Sequence, residues 1–106
     1  MAKTILIIDD EASIRESLSG ILADEGFQTL SAEDGQQGLS LLEDEPVDLV
    51  LLDIWMPGLD GLEVLKRIKE SQAELPVIMI SGHGTIETAV QATKMGAYDF
   101  IEKPPS

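Results

Sequence analysis

The sequence predicts a doubly wound α/β domain with five parallel strands in the order 2-1-3-4-5 and helices on both faces of the sheet. Three uninterrupted apolar runs lie at residues 5–8, 49–52 and 77–80. Runs this short, without a polar interruption, are typical of strands that are buried on both faces. The segments between them show helical spacing of apolar residues, and parallel strands require crossovers of this kind.

The first helix is predicted to begin soon after the first strand. Ser13 and Glu16 have the spacing of a capping box at a helix N-terminus. Apolar residues then recur at helical spacing on one face, at Ile14, Leu18, Ile21 and Leu22. Gly26 follows as a residue that can end the helix in the left-handed conformation.

Weaker patterns complete the alternation of strands and helices. Further strands are expected at Gln28–Ala32 and Asp99–Glu102. Helical spacing covers three more segments, Gly35–Asp44, Gly61–Ser71 and residues 86–95. Thr85 is placed to cap the last of these helices and Gly96 to end it. This alternation is typical of a flavodoxin-like sheet. Proteins with this fold have many different functions, so the fold alone does not identify the function.

Composition excludes several classes of function. The chain has 20 acidic residues against 7 lysines and arginines, a formal net charge of −13, which argues against direct nucleic-acid binding. It has no cysteine, so disulfides and thiolate metal sites are excluded. The apolar runs are much too short for a membrane span or a signal-peptide core, so we expect a cytoplasmic protein without a membrane segment.

Polar residues follow the predicted strands where each strand ends. Asp9 and Asp10 follow the first apolar run, Asp53 the second and Ser81 the third, and Lys103 follows the last weak strand. The carboxyl ends of parallel strands meet at one edge of a sheet, where ligands bind in open α/β folds. We therefore expect these side chains to lie close together.

This set of residues points to phosphoryl chemistry with a divalent cation. Close carboxylates repel one another unless a cation joins them, and all-oxygen ligands suit Mg²⁺. An aspartate beside such a metal can act as a nucleophile, as in aspartyl-phosphate chemistry. The metal and Lys103 would neutralise the charge on the phosphoryl oxygens in the transition state.

These residues, in this order, resemble the receiver domains of bacterial response regulators, the phosphoryl-accepting parts of two-component systems. The matching positions are Asp9, Asp10, Asp53, Ser81, Lys103 and Pro104. The segment that starts at Asp53 reads DIWMPG and fits the family's D-x-x-M-P-G turn. The resemblance spans residues 5–104 and implies one receiver domain at residues 1–106, which ends before the family's fifth helix.

The resemblance implies a metal site around the acceptor. Asp53 is the implied phosphoacceptor and also a ligand of Mg²⁺. Asp10 is implied to bind the metal directly and Asp9 through water. The backbone carbonyl of Trp55, two residues past the acceptor, is the remaining implied protein ligand.

The resemblance also implies a switch. Ser81 is the switch hydroxyl, and Lys103 is the cation that contacts the phosphoryl group. Phe100 occupies the aromatic switch position, where many relatives carry tyrosine. The implied domain supports its own phosphorylation and dephosphorylation but is not a stand-alone enzyme. His83, the only histidine, is more often a surface residue than a catalyst in such a loop.

A narrower resemblance links residues 80–85 and 96–104 to receivers of the nitrogen-regulatory class. It implies a sensor histidine kinase as phosphodonor and a possible homodimer through residues 86–102. In that class the receiver commonly precedes an AAA+ sigma-54-activating ATPase and a DNA-binding domain, neither of which this sequence contains.

Two alternatives remain open from the residues alone. A haloacid-dehalogenase-like phosphohydrolase also uses an aspartate after a buried strand and Mg²⁺, but it carries a second aspartate where this chain has Trp55. A flavodoxin-like cofactor binder needs a phosphate loop after the first strand, and the acidic residues there would repel a phosphate.

Overall fold

The computed structural model describes residues 1–82 and 85–103 and has the predicted doubly wound architecture. Its strands are β1 Thr4–Ile8, β2 Gln28–Ala32, β3 Leu49–Asp53, β4 Val77–Ser81 and β5 Asp99–Glu102. All neighbouring strands are parallel, in the order β2-β1-β3-β4-β5. The predicted fold class and strand order are confirmed. His83 and Pro104, which the sequence analysis singled out, lie outside the described residues.

The helices in the described ranges are α1 Ala12–Asp24, α2 Gly35–Asp44, α3 Gly61–Ser71 and α4 Ile86–Lys94. Side chains cap three of them: Asp34 accepts from the N–H of Gln37 at α2, and Asp60 from that of Glu63 at α3. At α4, Thr85 caps the helix as predicted. None of these helices is both long enough and apolar enough to cross a membrane.

The predicted capping box of Ser13 and Glu16 is wrong. α1 begins at Ala12, with Glu11 at the N-cap and no side-chain cap. The carboxylate of Asp9 accepts a 2.9 Å hydrogen bond from the N–H of Glu11. The chain therefore turns into the helix before it reaches Ser13, which lies inside the first turn.

The sheet buries apolar side chains on both faces. On one face, helices α2, α3 and α4 cover a large core that contains Leu6, Ile8, Val50, Leu52, Val77 and Met79. On the other face, α1 packs Leu18 and Leu22 against a smaller cluster of Ile5, Ile7 and Leu51. The strand residues alternate between two packed faces, so packing fixes the ends of the strands. The residues that directly follow the strands are therefore also fixed in position.

Candidate functional site

Three carboxylates meet at the carboxyl edge of the sheet. Asp9 directly follows β1 and Asp53 ends β3, and these strands are neighbours with Ile8 opposite Leu52. Asp10 joins them, and carboxylate oxygens of the three aspartates lie within 4.8 Å of one another. Asp9 and Asp53 are buried, with 0% and 2% exposure, whereas Asp10 is exposed. The structure thus brings together the three acids that the sequence singled out.

Lys103 places its ammonium group among these acids. Its Nζ lies 2.9 Å from Oδ2 of Asp9, 3.1 Å from Oε1 of Glu11 and 3.4 Å from Oδ2 of Asp53. The backbone N–H of Lys103 donates to the carbonyl of Ser81 at 2.7 Å, which fixes the lysine beside the end of β4. Glu11 is not among the residues that the sequence predicts for the site. Its pairing with a residue near the other end of the sequence has no local pattern that could have revealed it.

The remaining predicted residues lie at the end of β4, in β5 and in the loop after β3. Ser81 ends β4 and is fully buried, next to Ile80, which pairs with Asp53 in the sheet. Phe100 lies in β5, partly buried against the large core. Trp55 lies in the loop after β3, and 51% of it is exposed. Trp55 is thus exposed in the loop that follows the acceptor, and Phe100 packs against the core from the neighbouring strand of β4.

The donor set of the cluster is one that a hard cation prefers. Oδ2 of Asp9 is buried and pairs with the ammonium of Lys103 at 2.9 Å. That single ammonium is shared among several carboxylates, and close carboxylates repel one another unless a cation joins them. Three converging carboxylates are ligands that a divalent cation such as Mg²⁺ prefers, so the residues fit that ion.

The electrostatics of the site oppose the ionised form of Asp53. Burial first, and then repulsion from Asp9, raise the pKa of Asp53 to about 7, although Lys103 acts in the opposite direction. For Lys103, burial lowers the pKa, but contacts with Asp9 and Glu11 and the charge of Asp53 outweigh it and raise the pKa above its usual value. Lys103 therefore remains a cation, while Asp53 without a metal takes up a proton near neutral pH.

Gly61 holds the backbone that carries Asp53. Its N–H donates to the carbonyl of Ile54 at 2.8 Å, and a Cβ at this position would collide with the Asp53 carbonyl and the Ile54 Cα. Only glycine allows the start of α3 to approach the acceptor loop this closely. Gly61 was predicted to begin a helix, but its close approach to the loop depends on the packing of α3.

A family model described as the response regulator receiver domain matches residues 5–106. The chain is 54% identical over 106 residues to the nitrogen assimilation regulatory protein NtrX of Azorhizobium caulinodans, covering 98% of this chain and 23% of that protein. The chain thus spans less than a quarter of the length of the NtrX-like curated relatives that it matches.

Solved structures with the same fold include two at clear sequence identity. The receiver domain of NtrX from Brucella abortus is 55% identical with a TM-score of 0.90, and the match covers 96% of this chain and 87% of that one. The response regulator TrrA from Thermotoga maritima, in complex with Mg²⁺–BeF, is 33% identical with a TM-score of 0.88, at 96% and 87% coverage.

The close contact at Gly61 predicts that Gly61→Ala destabilises the chain by about 1–3 kcal/mol in urea unfolding, since the added methyl group meets backbone atoms. Gly20→Ala is the matched control. A Cβ at Gly20, inside α1, meets nothing within 4 Å, so alanine there should stabilise the helix by about 0.5–1 kcal/mol. Similar free energies of unfolding for the two variants would contradict the tight-contact explanation.

The raised pKa of Asp53 predicts a pH dependence of stability in metal-free buffer. The folded chain binds this proton with a pKa of about 7, against 3.8 for the unperturbed group, so its free energy of unfolding should fall as pH rises through this range. Asp53→Asn should flatten the dependence and be the more stable protein above pH 7. The control is Asp44→Asn at the exposed end of α2. Identical pH profiles for wild type and Asp53→Asn would refute the prediction.

Proposed function

Because the chain belongs to the response regulator receiver domain family, we propose that its Asp53 accepts the phosphoryl group through which a two-component system signals. The observation that carries this assignment is the buried carboxylate of Asp53 facing Asp9 and Lys103 at one sheet edge. The two alternatives, a phosphohydrolase of the haloacid-dehalogenase type and a flavodoxin-like cofactor binder, are not supported by the family match.

In the proposed step, a carboxylate oxygen of Asp53 attacks the phosphorus of a phosphohistidine in a sensor kinase. The new oxygen–phosphorus bond forms as the phosphorus–nitrogen bond breaks, and the histidine nitrogen leaves with the electron pair. Lys103, which stays protonated, is within reach of the oxygens of the incoming group because it lies 3.4 Å from Asp53. Burial keeps bulk water away from most of the acceptor.

We propose that Mg²⁺ is bound by Asp10 directly, by Asp9 through water, by Asp53 and by the backbone carbonyl of Trp55. The three converging carboxylates support this site, as does the Mg²⁺–BeF complex of TrrA. When bound, the metal would favour the ionised form of Asp53 and neutralise charge on the phosphoryl oxygens.

We propose that Ser81 and Phe100 carry the response to phosphorylation. A phosphoryl group adds negative charge and strong acceptors at Asp53. Ser81, buried beside the strand partner of Asp53, would move to donate a hydrogen bond to it. Phe100 is only partly buried and could turn further inward into the space that Ser81 leaves. The phosphoryl group would shift an existing equilibrium between two states.

The partners follow from the class of protein. We propose that a sensor histidine kinase supplies the phosphoryl group, and that the domain does not act as a stand-alone enzyme. As in the nitrogen-regulatory class, we propose that residues 1–106 form the receiver of a longer regulator with an AAA+ ATPase and a DNA-binding domain. Such an output implies transcription control in the cytoplasm.

Residues 86–102 are the proposed surface for a homodimer. Four apolar side chains in this segment are strongly exposed: Ile86, Val90, Tyr98 and Ile101. They lie on α4, on β5 and in the turn between them, so the proposed switch at Phe100 would act on this surface directly.

Incubation with acetyl phosphate and Mg²⁺ should add one acid-labile phosphoryl group to the chain, detectable as a mass increase. Asp53→Asn should abolish the adduct because the nucleophilic oxygen is replaced by an amide, and a chelator should abolish it in the wild type. Asp44→Asn should be phosphorylated normally. An undiminished adduct in Asp53→Asn would show that the acceptor is another residue.

Ser81→Ala should still be phosphorylated but respond less, because it removes the hydroxyl that would bond the phosphoryl group. The measurement is the change in amide chemical shifts of α4 and β5 on activation, which should be several-fold smaller in the variant. Ser71→Ala, at the exposed end of α3, is the control. Equal shift changes in wild type and Ser81→Ala would rule out the proposed switch.

A further inference from the structure

Arg15, in the first turn of α1, contacts the acidic cluster but takes no part in the chemistry proposed above. Its Nη1 donates a 2.7 Å hydrogen bond to the backbone carbonyl of Asp9, and the side chain is partly buried. A hydrogen bond from a cationic donor is short and roughly twice as strong as one between neutral groups. The contact therefore acts on the backbone of the site and not on its carboxylates.

This carbonyl belongs to the turn that carries Asp10. The N–H of Asp9 donates to the carbonyl of Ala32 at 3.1 Å, which continues the pairing of β1 with β2. The carboxylate of Asp9 accepts from the N–H of Glu11 at 2.9 Å. Together with Arg15, these bonds fix Asp9 through its N–H, its carboxylate and its carbonyl, so Asp10 follows a residue held at three points.

Asp10 is the member of the cluster that most needs this support. Asp9 and Asp53 are buried, and packing holds their side chains, whereas Asp10 is exposed. Three carboxylates within 4.8 Å repel one another. An exposed side chain can relieve that repulsion by turning toward water, and the backbone conformation at Asp10 sets which rotamers are favoured.

We infer that Arg15 is a positioning residue for the cation site: through the Asp9 carbonyl it fixes the turn that keeps the Asp10 carboxylate facing Asp53. The inference rests on the proposed Mg²⁺ site. A fixed turn presents the metal with its oxygens already gathered, so the ion does not have to order them when it binds.

The direction in which the Kd for Mg²⁺ changes distinguishes a positioning role of Arg15 from a purely electrostatic one. A guanidinium group remains protonated and repels a divalent cation. If Arg15 acted only as a nearby charge, its removal would tighten Mg²⁺ binding. If it positions the turn, its removal weakens Mg²⁺ binding despite the loss of a repelling charge.

The experiment is a Mg²⁺ titration of the 106-residue chain, followed by the fluorescence of Trp55, the only tryptophan. Arg15→Gln should raise the Kd for Mg²⁺ about tenfold, the lower end of the usual effect of outer-shell partners. Arg15→Lys should lie between wild type and Arg15→Gln, because a lysine offers a point charge without the planar fork. Arg67→Gln removes the other arginine, which pairs with Glu63 on the surface of α3, and should leave the Kd unchanged.

The outcomes distinguish a failure of the proposed Mg²⁺ site from a failure of the proposed role of Arg15. A wild-type chain whose fluorescence and melting temperature do not respond to Mg²⁺ would overturn the metal site itself. A wild-type chain that binds Mg²⁺, together with an Arg15→Gln variant of equal or lower Kd, would overturn the role of Arg15 alone. Melting in metal-free buffer establishes that each variant is folded. If Arg15→Gln does not fold, the test uses Arg15→Lys. A Kd for Mg²⁺ of Arg15→Lys equal to or below that of wild type then overturns the inference.

Discussion

The site depends on holding like charges together at one edge of a sheet. Two carboxylates, of Asp9 and Asp53, are buried there, and the ammonium of Lys103 lies among them. One cation does not offset the repulsion between these acids, since burial and the charge of Asp9 still raise the pKa of Asp53 to about 7. The imbalance makes the edge receptive to a divalent cation.

The rest of the fold supplies the rigidity that this arrangement requires. Each acid follows or ends a strand whose apolar residues are packed on both faces, so the acids cannot separate by bending the sheet. The N–H of Gly61 fixes the loop after β3 by donating to the carbonyl of Ile54. Arg15 fixes the loop after β1 by donating to the carbonyl of Asp9. Movement of the backbone therefore does not relieve the repulsion between the carboxylates.

The sequence was informative where a pattern is local. Apolar runs located the strands, and the residues that follow them located Asp9, Asp53, Ser81 and Lys103 at one edge, because parallel strands share an orientation. The capping box at Ser13 failed because the start of α1 is set by the Asp9 carboxylate, which belongs to the site and not to the helix.

Contacts between distant segments were beyond the reach of the sequence. The pairing of Glu11 with Lys103 joins residues 92 positions apart, and the approach of Gly61 to the Asp53 backbone depends on how α3 docks. Neither leaves a periodicity or a spacing that could be read along the chain. Arg15 lies within the predicted first helix, where no local pattern indicates its bond to the Asp9 carbonyl.

The separation of Lys103 from Asp9 along the chain also bears on how the protein folds. The lysine follows β5, which is the outermost strand of the sheet and pairs with β4. The ion pair with Asp9 therefore closes a loop of nearly the whole sequence. The entropy of closing such a loop is repaid only by contacts formed in the docked strands. A nascent or partly folded chain would hold its aspartates but lack their cation. The charge arrangement of the site would then be complete only once β5 has docked against β4.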